Sequence, residues 1–185
     1  MADDRHAHEQ HPEWVDGPRP RHNGPVVLAP YDVSWPRAFE RESARVRAAL
    51  GGRVLLMEHV GSTSVPGLAA KPIIDMLLVV PQSADEPSYV PPLQAAGYRL
   101  VVREPHWHEH RVFKGPDTNI NLHTFSPDSP EVARMIAFRD RLRADAADRT
   151  QYVNTKRELA ARTWAYVQDY ADAKSAVVET ILGRA

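Results

Sequence analysis

The chain has 185 residues, no cysteine, 25% charged and 43% hydrophobic residues, and a formal net charge of −1 at pH 7. That length fits one globular unit of roughly 100–200 residues, and the lack of cysteine excludes disulfides, thiolate zinc sites, iron–sulfur clusters and cysteine nucleophiles. Residues 1–24 carry three Arg against five Asp/Glu, leaving the remainder near +1, so no nucleic-acid partner is expected and a small-molecule ligand is favoured. Arginine outnumbers lysine 19 to 4, an excess without functional weight on composition alone. No apolar run approaches the roughly 20 residues of a membrane span, and the N-terminus has no apolar signal segment, so the expectation is a cytoplasmic protein without a membrane partner. Nothing in the sequence sets an oligomeric state.

Residues 1–25 combine His6, His8, His11 and His22 with four prolines, and this composition predicts a disordered tail ahead of one domain over 26–185. Val26-Val27-Leu28 reads as a short strand. Pro36 after Ser34 opens a helix with Trp35, Phe39, Val46 and Leu50 on one face, stopped at Gly51-Gly52. Val54–Met57 is a buried strand, Ile73–Val80 a second bounded by prolines, residues 87–97 a short helix and Tyr98–Arg103 a strand. His110–Lys114 and Asn119–Phe125 form a hairpin about Gly115-Pro116-Asp117-Thr118. Ser129 and Pro130 start a helix, Asp148 with Gln151 resembles a capping box for the next, and helical spacing then continues to the C-terminus. The order implies an α+β fold: a mixed β-sheet flanked by helices, with a helical C-terminal half.

Three features carry chemistry. The buried strand runs into Gly61-Ser62-Thr63-Ser64, which offers backbone N–H groups and hydroxyls to an anion such as phosphate, or is an ordinary turn. Asp75 interrupts the apolar run 72–80, where a charge is costly unless paired with an arginine, bound to metal or at a cleft edge. In an extended chain His106, His108 and His110 share one face, opposite Trp107, Glu109 and Arg111. With His123 on the paired strand they could ligate a metal such as zinc, serve as acid or base, or decorate an exposed edge. Arg139, beside Asp140 on one helix, with Lys156 and Arg157 on the next, could supply cations to the same cleft. Among charged residues a solvated face is nevertheless the usual explanation for Lys156 and Arg157, and more strongly for Lys174.

A Gly-Ser turn followed by a carboxylate on the next strand resembles the nucleotidyltransferase fold. More specifically, EHVGSTSVPGLAAKPIID at 58–75 resembles the signature of the GrpB family, and the likeness extends from Tyr31–Pro36 through Phe138-Arg139-Asp140, Tyr152 and Lys156 to Lys174. It implies a nucleotidyltransferase-like fold far better than a reaction. On this resemblance Gly61, Ser62 and Thr63 would bind the phosphates of a nucleotide such as ATP, or of a similar small molecule. Asp75 would hold a divalent metal, magnesium or zinc, and Lys71 and Arg111 would neutralise charge. His123 or His108 would act as base, with His106, His108, His110 and His123 as further candidate ligands. Leu77 stands where active nucleotidyltransferases place a second acid, which leaves open a catalytically inactive module for nucleotides or CoA precursors, or a histidine-based metal-dependent hydrolase.

Overall fold

A computed structural model describes residues 12–15, 17–18 and 21–184. In chain order its elements are β1 (Glu13–Trp14), β2 (Arg21–Gly24), α1 (Trp35–Leu50), β3 (Leu56–Val60), β4 (Ile74–Val79), α2 (Glu86–Ala95), β5 (Arg99–Glu104), β6 (His110–Lys114) and β7 (Ile120–Phe125). Then follow α3 (Pro130–Ala144), α4 (Ala146–Ala160), β8 (Trp164–Tyr166), α5 (Val167–Asp172) and α6 (Ser175–Leu182).

Six strands form one sheet in the order β1-β5-β6-β7-β4-β3. Only β4 and β7 run parallel, so the sheet is mixed and the fold is α+β as expected. The run Ile-Asp-Met-Leu-Leu-Val of β4 lacks alternation because helices cover both of its faces. On one side Met76, Leu78, Phe113 and Leu122 pack under Val46 and Leu50 of α1 and Tyr89 and Leu93 of α2. On the other, Leu77 joins Val60 and Phe125 beneath Val132, Met135 and Ile136 of α3. A third cluster ties Val65 and Leu68, just after β3, to Leu142, Tyr152, Val177 and Ile181. That contact brings the C-terminal helices against the segment between β3 and β4.

Four expectations change. Val26–Leu28 is not a strand; only Ala29 bridges to Ala70. The cap of α4 is Asp145, whose carboxylate accepts from the N–H groups of Ala147 and Asp148. Asp148 is buried instead, paired with Arg141 and Arg184. The C-terminal helix is interrupted by β8, which pairs with β2, because Trp164 turns inward to donate its indole N–H to the Leu159 carbonyl. Finally, the disorder expected over 1–25 does not hold where the chain finds edge partners. Glu13 and Trp14 pair with Arg103 and Val102, and Trp14 packs on Val101, Val102 and Val112. Residues 1–11, with His6, His8 and His11, lie outside the described residues.

This docking has a measurable consequence. Deleting residues 1–18 uncovers the apolar edge of β5, and the truncated chain is expected to lose about 1–2 kcal/mol of stability, read as a lowered denaturation midpoint with an unchanged far-UV spectrum.

Candidate functional site

Cross-strand register decides which side chains meet. Asp75 lies opposite Val60 on β3 and Asn121 on β7, and Leu77 lies opposite Glu58 and His123. Because side chains alternate, Asp75, Asn121, His123, His110 and Lys114 share the face that looks toward the C-terminal helices.

Gly61 ends β3 in a left-handed conformation, φ +66°, and an ideal Cβ there would lie 2.4 Å from Asp75 Oδ2. Only glycine lets the carboxylate rest against the backbone. Gly61→Ala is expected to cost about 1–2 kcal/mol through the backbone alone and to push Asp75 aside. A thermal melt combined with the Asp75 carboxyl carbon resonance measures both.

The next residues form a single tight helical turn over Ser62–Ser64. Ser64 donates its hydroxyl to the Gly61 carbonyl at 2.6 Å. Thr63, also buried, donates to the Ile73 carbonyl at 3.2 Å and sits 3.1 Å from His59 Nε2. Thr63 is therefore a pin of the turn, not a phosphate donor through its hydroxyl. Ser62 alone turns its hydroxyl to the cleft, 2.9 Å from Lys156 Nζ.

All four lysines of the chain converge here. Lys156, 2% exposed, also donates to the Ala69 carbonyl at 2.7 Å and lies over the Tyr152 ring. Lys71 and Lys174 both stand over the ring of Tyr170, at 5.3 and 4.8 Å from its centroid. Lys114 donates to Asn121 Oδ1 at 2.5 Å, which turns the amide so that its Nδ2 donates to Asp75 Oδ1 at 2.8 Å. Burial, reinforced by the neighbouring ammonium groups, pushes Lys156 down to about 7 and Lys71 down to about 8. Burial likewise lowers Lys114 and Lys174, with Asp75 opposing the shift in each case. For Asp75, burial works against ionisation, but His123, Asn121 and Lys174 outweigh it and hold the carboxyl below its ordinary value. The cleft is thus one carboxylate among four crowded cations.

Other candidates lie elsewhere. Arg111 points to the opposite face of the sheet, where its Nε donates to Glu86 of α2 at 2.7 Å, so it neutralises no charge beside Asp75. The expected strand over 106–110 is a turn: His108 and Glu109 take positive φ values of 54° and 50°, and β6 begins only at His110. His106 and His108 are exposed on that turn and share no face with His110. His110 is buried, and both its ring nitrogens are engaged, with Glu104 Oε2 at 2.6 Å and His123 Nδ1 at 3.0 Å. It has no nitrogen free for a metal. Arg139, another candidate cation, is held by Glu58 and Asp140.

His123 Nε2 stands 3.8 Å from Asp75 Oδ1. These two groups are the metal-ligating side chains that meet, and no group of three His, Asp or Glu suited to a metal occurs among the described residues. Two donors ringed by four ammonium groups do not fit a metal held by the protein alone, since magnesium needs near-octahedral oxygen donors and structural zinc four ligands. Leu77, where the resemblance to nucleotidyltransferases would place a second acid, is fully buried under α3.

Sequence reasoning missed Lys114, Asn121, Tyr152 and Tyr170 as site residues and set a solvated face above a cleft role for Lys156, and more strongly for Lys174. One signal was present, the scarcity of lysine: the described surface ion pairs use arginine as their cation, leaving the few lysines to the cleft.

Comparisons with known proteins agree with this architecture. The GrpB protein family profile matches residues 25–184. A UPF0157 protein of Halalkalibacterium halodurans is 58% identical over 164 residues, covering 89% of this chain and 84% of that protein. One from Streptomyces coelicolor is 43% identical, covering 94% and 89%. A dephospho-CoA kinase of Mycolicibacterium paratuberculosis is 32% identical over 81% of this chain, but the match spans only 43% of that enzyme. The crystal structure of the conserved protein GrpB from Enterococcus faecalis superposes with a TM-score of 0.73 at 29% identity, covering 85% of this chain and 98% of that one. A profile that spans the whole domain, a relative identical at more than half of the aligned positions and a shared fold lead to one conclusion: the chain belongs to the GrpB family.

Proposed function

We propose that the cleft binds the phosphates of a nucleotide or a similarly phosphorylated small molecule, as in nucleotidyltransferase-like proteins. The observation that carries this reading is the convergence of four partly desolvated lysines on one carboxylate. In the free protein their mutual repulsion is poorly compensated, and a polyanion supplies the missing charge. Ammonium groups bind phosphate as point charges, and the leading N–H groups of the Ser62 turn have no acceptor within the turn. Phosphate would displace the Lys156–Ser62 hydrogen bond with little rearrangement.

A divalent cation in this reading would arrive already bound to the phosphates and is not a resident cofactor, while Asp75 balances the charge of the lysines. Transfer of a phosphoryl or nucleotidyl group would draw on the lysines for charge and on His123 for the proton. Binding without turnover is the second reading, and Leu77 favours it because the two-carboxylate arrangement that shares two metals is not built. The relative named a dephospho-CoA kinase makes a CoA precursor one ligand to include, and a metabolite of this kind is consistent with a cytoplasmic location. No helix among the described residues is long and apolar enough to cross a membrane. A hydrolase built on three histidines has less support, because His106 and His108 lie exposed on a turn and no group of three metal-ligating side chains occurs among the described residues.

Calorimetric titration with tripolyphosphate, ATP and dephospho-CoA, each with excess EDTA and again with magnesium, tests the proposal. Saturable binding of tripolyphosphate and at least one nucleotide is expected without magnesium. Absence of heat with all three at millimolar concentration, with and without magnesium, would overturn it.

A further inference from the structure

A hydrogen-bonded chain lies along the β6–β7 edge of the cleft. Glu104, at the end of β5, accepts from His110 Nδ1–H at 2.6 Å, His110 Nε2 is 3.0 Å from His123 Nδ1, and His123 Nε2 is 3.8 Å from Asp75 Oδ1. The rings of His110 and His123 are nearly parallel with centroids 5.2 Å apart, and His110 also stacks on Phe125 at 4.5 Å. Trp107, on the turn that carries the two left-handed residues, closes over the edge of His110. His110 is 5% exposed, so neither ring can swing without breaking the stack.

The order of donors in this chain follows from its anchored end. A carboxylate is acceptor only, so His110 must carry a proton on Nδ1. Burial pushes His110 down to about 4, against the opposing hydrogen bond to Glu104, so the ring is neutral and its Nε2 is a bare acceptor. In the neutral form His123 must then donate from Nδ1, which places the lone pair of the ring on Nε2, the nitrogen 3.8 Å from Asp75 Oδ1.

We infer that Glu104 and His110 are positioning residues that fix the tautomer of His123 and make its Nε2 the proton acceptor of the cleft, serving a hydroxyl group of a ligand. A neutral hydroxyl suits the place better than an amine, which would enter as a further cation among four lysines. A hydroxyl between Nε2 and Asp75 Oδ1 meets two acceptors: it gives its proton to the imidazole, and the carboxylate steadies the imidazolium that results. The deprotonated oxygen would form a bond to a phosphorus of the ligand held in the proposed phosphate site as the bond from that phosphorus to its bridging oxygen breaks. The displaced phosphate would leave as an anion beside the lysines, and the inference rests on that reading only to this extent.

Long-range proton–nitrogen correlation spectra of the full chain, labelled with nitrogen-15 and recorded at about pH 8, above the ordinary imidazole range, test it without any ligand. The His123 signals are assigned from the spectrum of His123→Gln. The expected result is a proton on Nδ1 and none on Nε2 of His123. Glu104→Gln, whose side-chain oxygen accepts the same bond, should keep that pattern, whereas Glu104→Ala should turn His123 into a mixture of tautomers. A proton on Nε2 in the wild-type protein, in either the other tautomer or the imidazolium, overturns the inference whether or not the variants fold. So does an unchanged His123 pattern in folded Glu104→Ala. Failure of tripolyphosphate to bind would sink the phosphate reading and leave this result standing, so the two fail separately.

Discussion

Lys156→Met should weaken tripolyphosphate binding at least tenfold, about 1.4 kcal/mol, and should reduce the number of protons taken up when the ligand binds. Lys156 is the most enclosed of the four lysines, 2% exposed, and its ammonium spans the Ser62 hydroxyl and the Ala69 carbonyl. Burial, then repulsion from Lys174 and Lys71, pushes it down to about 7, and Lys71 is pushed down to about 8. An anion in the cleft favours the charged form of both, so near pH 8 binding must draw protons from the buffer. Titrations in buffers of different ionisation enthalpy count them. The wild-type chain should take up protons at that pH, and Lys156→Met fewer. Equal uptake in both would separate Lys156 from the ligand.

The same shifts set the pH dependence of the free protein. In the unfolded chain Lys156 titrates near its ordinary 10.5, in the folded chain near 7. Between these values the unfolded state binds more protons, so stability rises with pH across the window. Bound phosphate should flatten that rise.

Long apolar runs and turn chemistry made most strands legible in the sequence, because the features that define β4, β6 and β7 are local. Asp75 was legible for the same reason: a carboxylate in an apolar strand stands out wherever the strand lies. The histidine face was misread because alternation was extended through Pro105–Glu109, where the backbone turns instead, and no apolar pattern marked the turn. The docked Trp14 was missed because pairing with an edge strand depends on the distant β5. The lysine cluster was hidden more deeply. Lys71, Lys114, Lys156 and Lys174 come from a loop, a strand, a helix and a helix start, and only the packing of Tyr152 and Val177 against Val65 and Leu68 brings them together.

Asp75→Asn keeps the shape of the side chain and its hydrogen bond from Asn121 while removing the negative charge that favours protonation of all four lysines, with Asp172 left to act on Lys174 alone. The free variant is therefore expected to be less stable at neutral pH, by about 1–3 kcal/mol, the usual cost of stranding partly buried charges. Because the Asp75 carboxyl is held below its ordinary 3.8, its contribution is present above that value and fades as pH falls through the lower folded one. The gap between wild type and variant should close in acid. Tripolyphosphate should restore more stability to the variant than to the wild type, since it replaces the missing anion and no longer faces a carboxylate across the cleft. A metal bridge between Asp75 and the phosphates predicts the reverse: unchanged stability without ligand, and magnesium-dependent binding weakened at least tenfold. Thermal melts of both chains, with and without tripolyphosphate and with magnesium or EDTA, separate a carboxylate that balances the lysines from one that serves a metal, because the two roles shift the variant's ligand response in opposite directions.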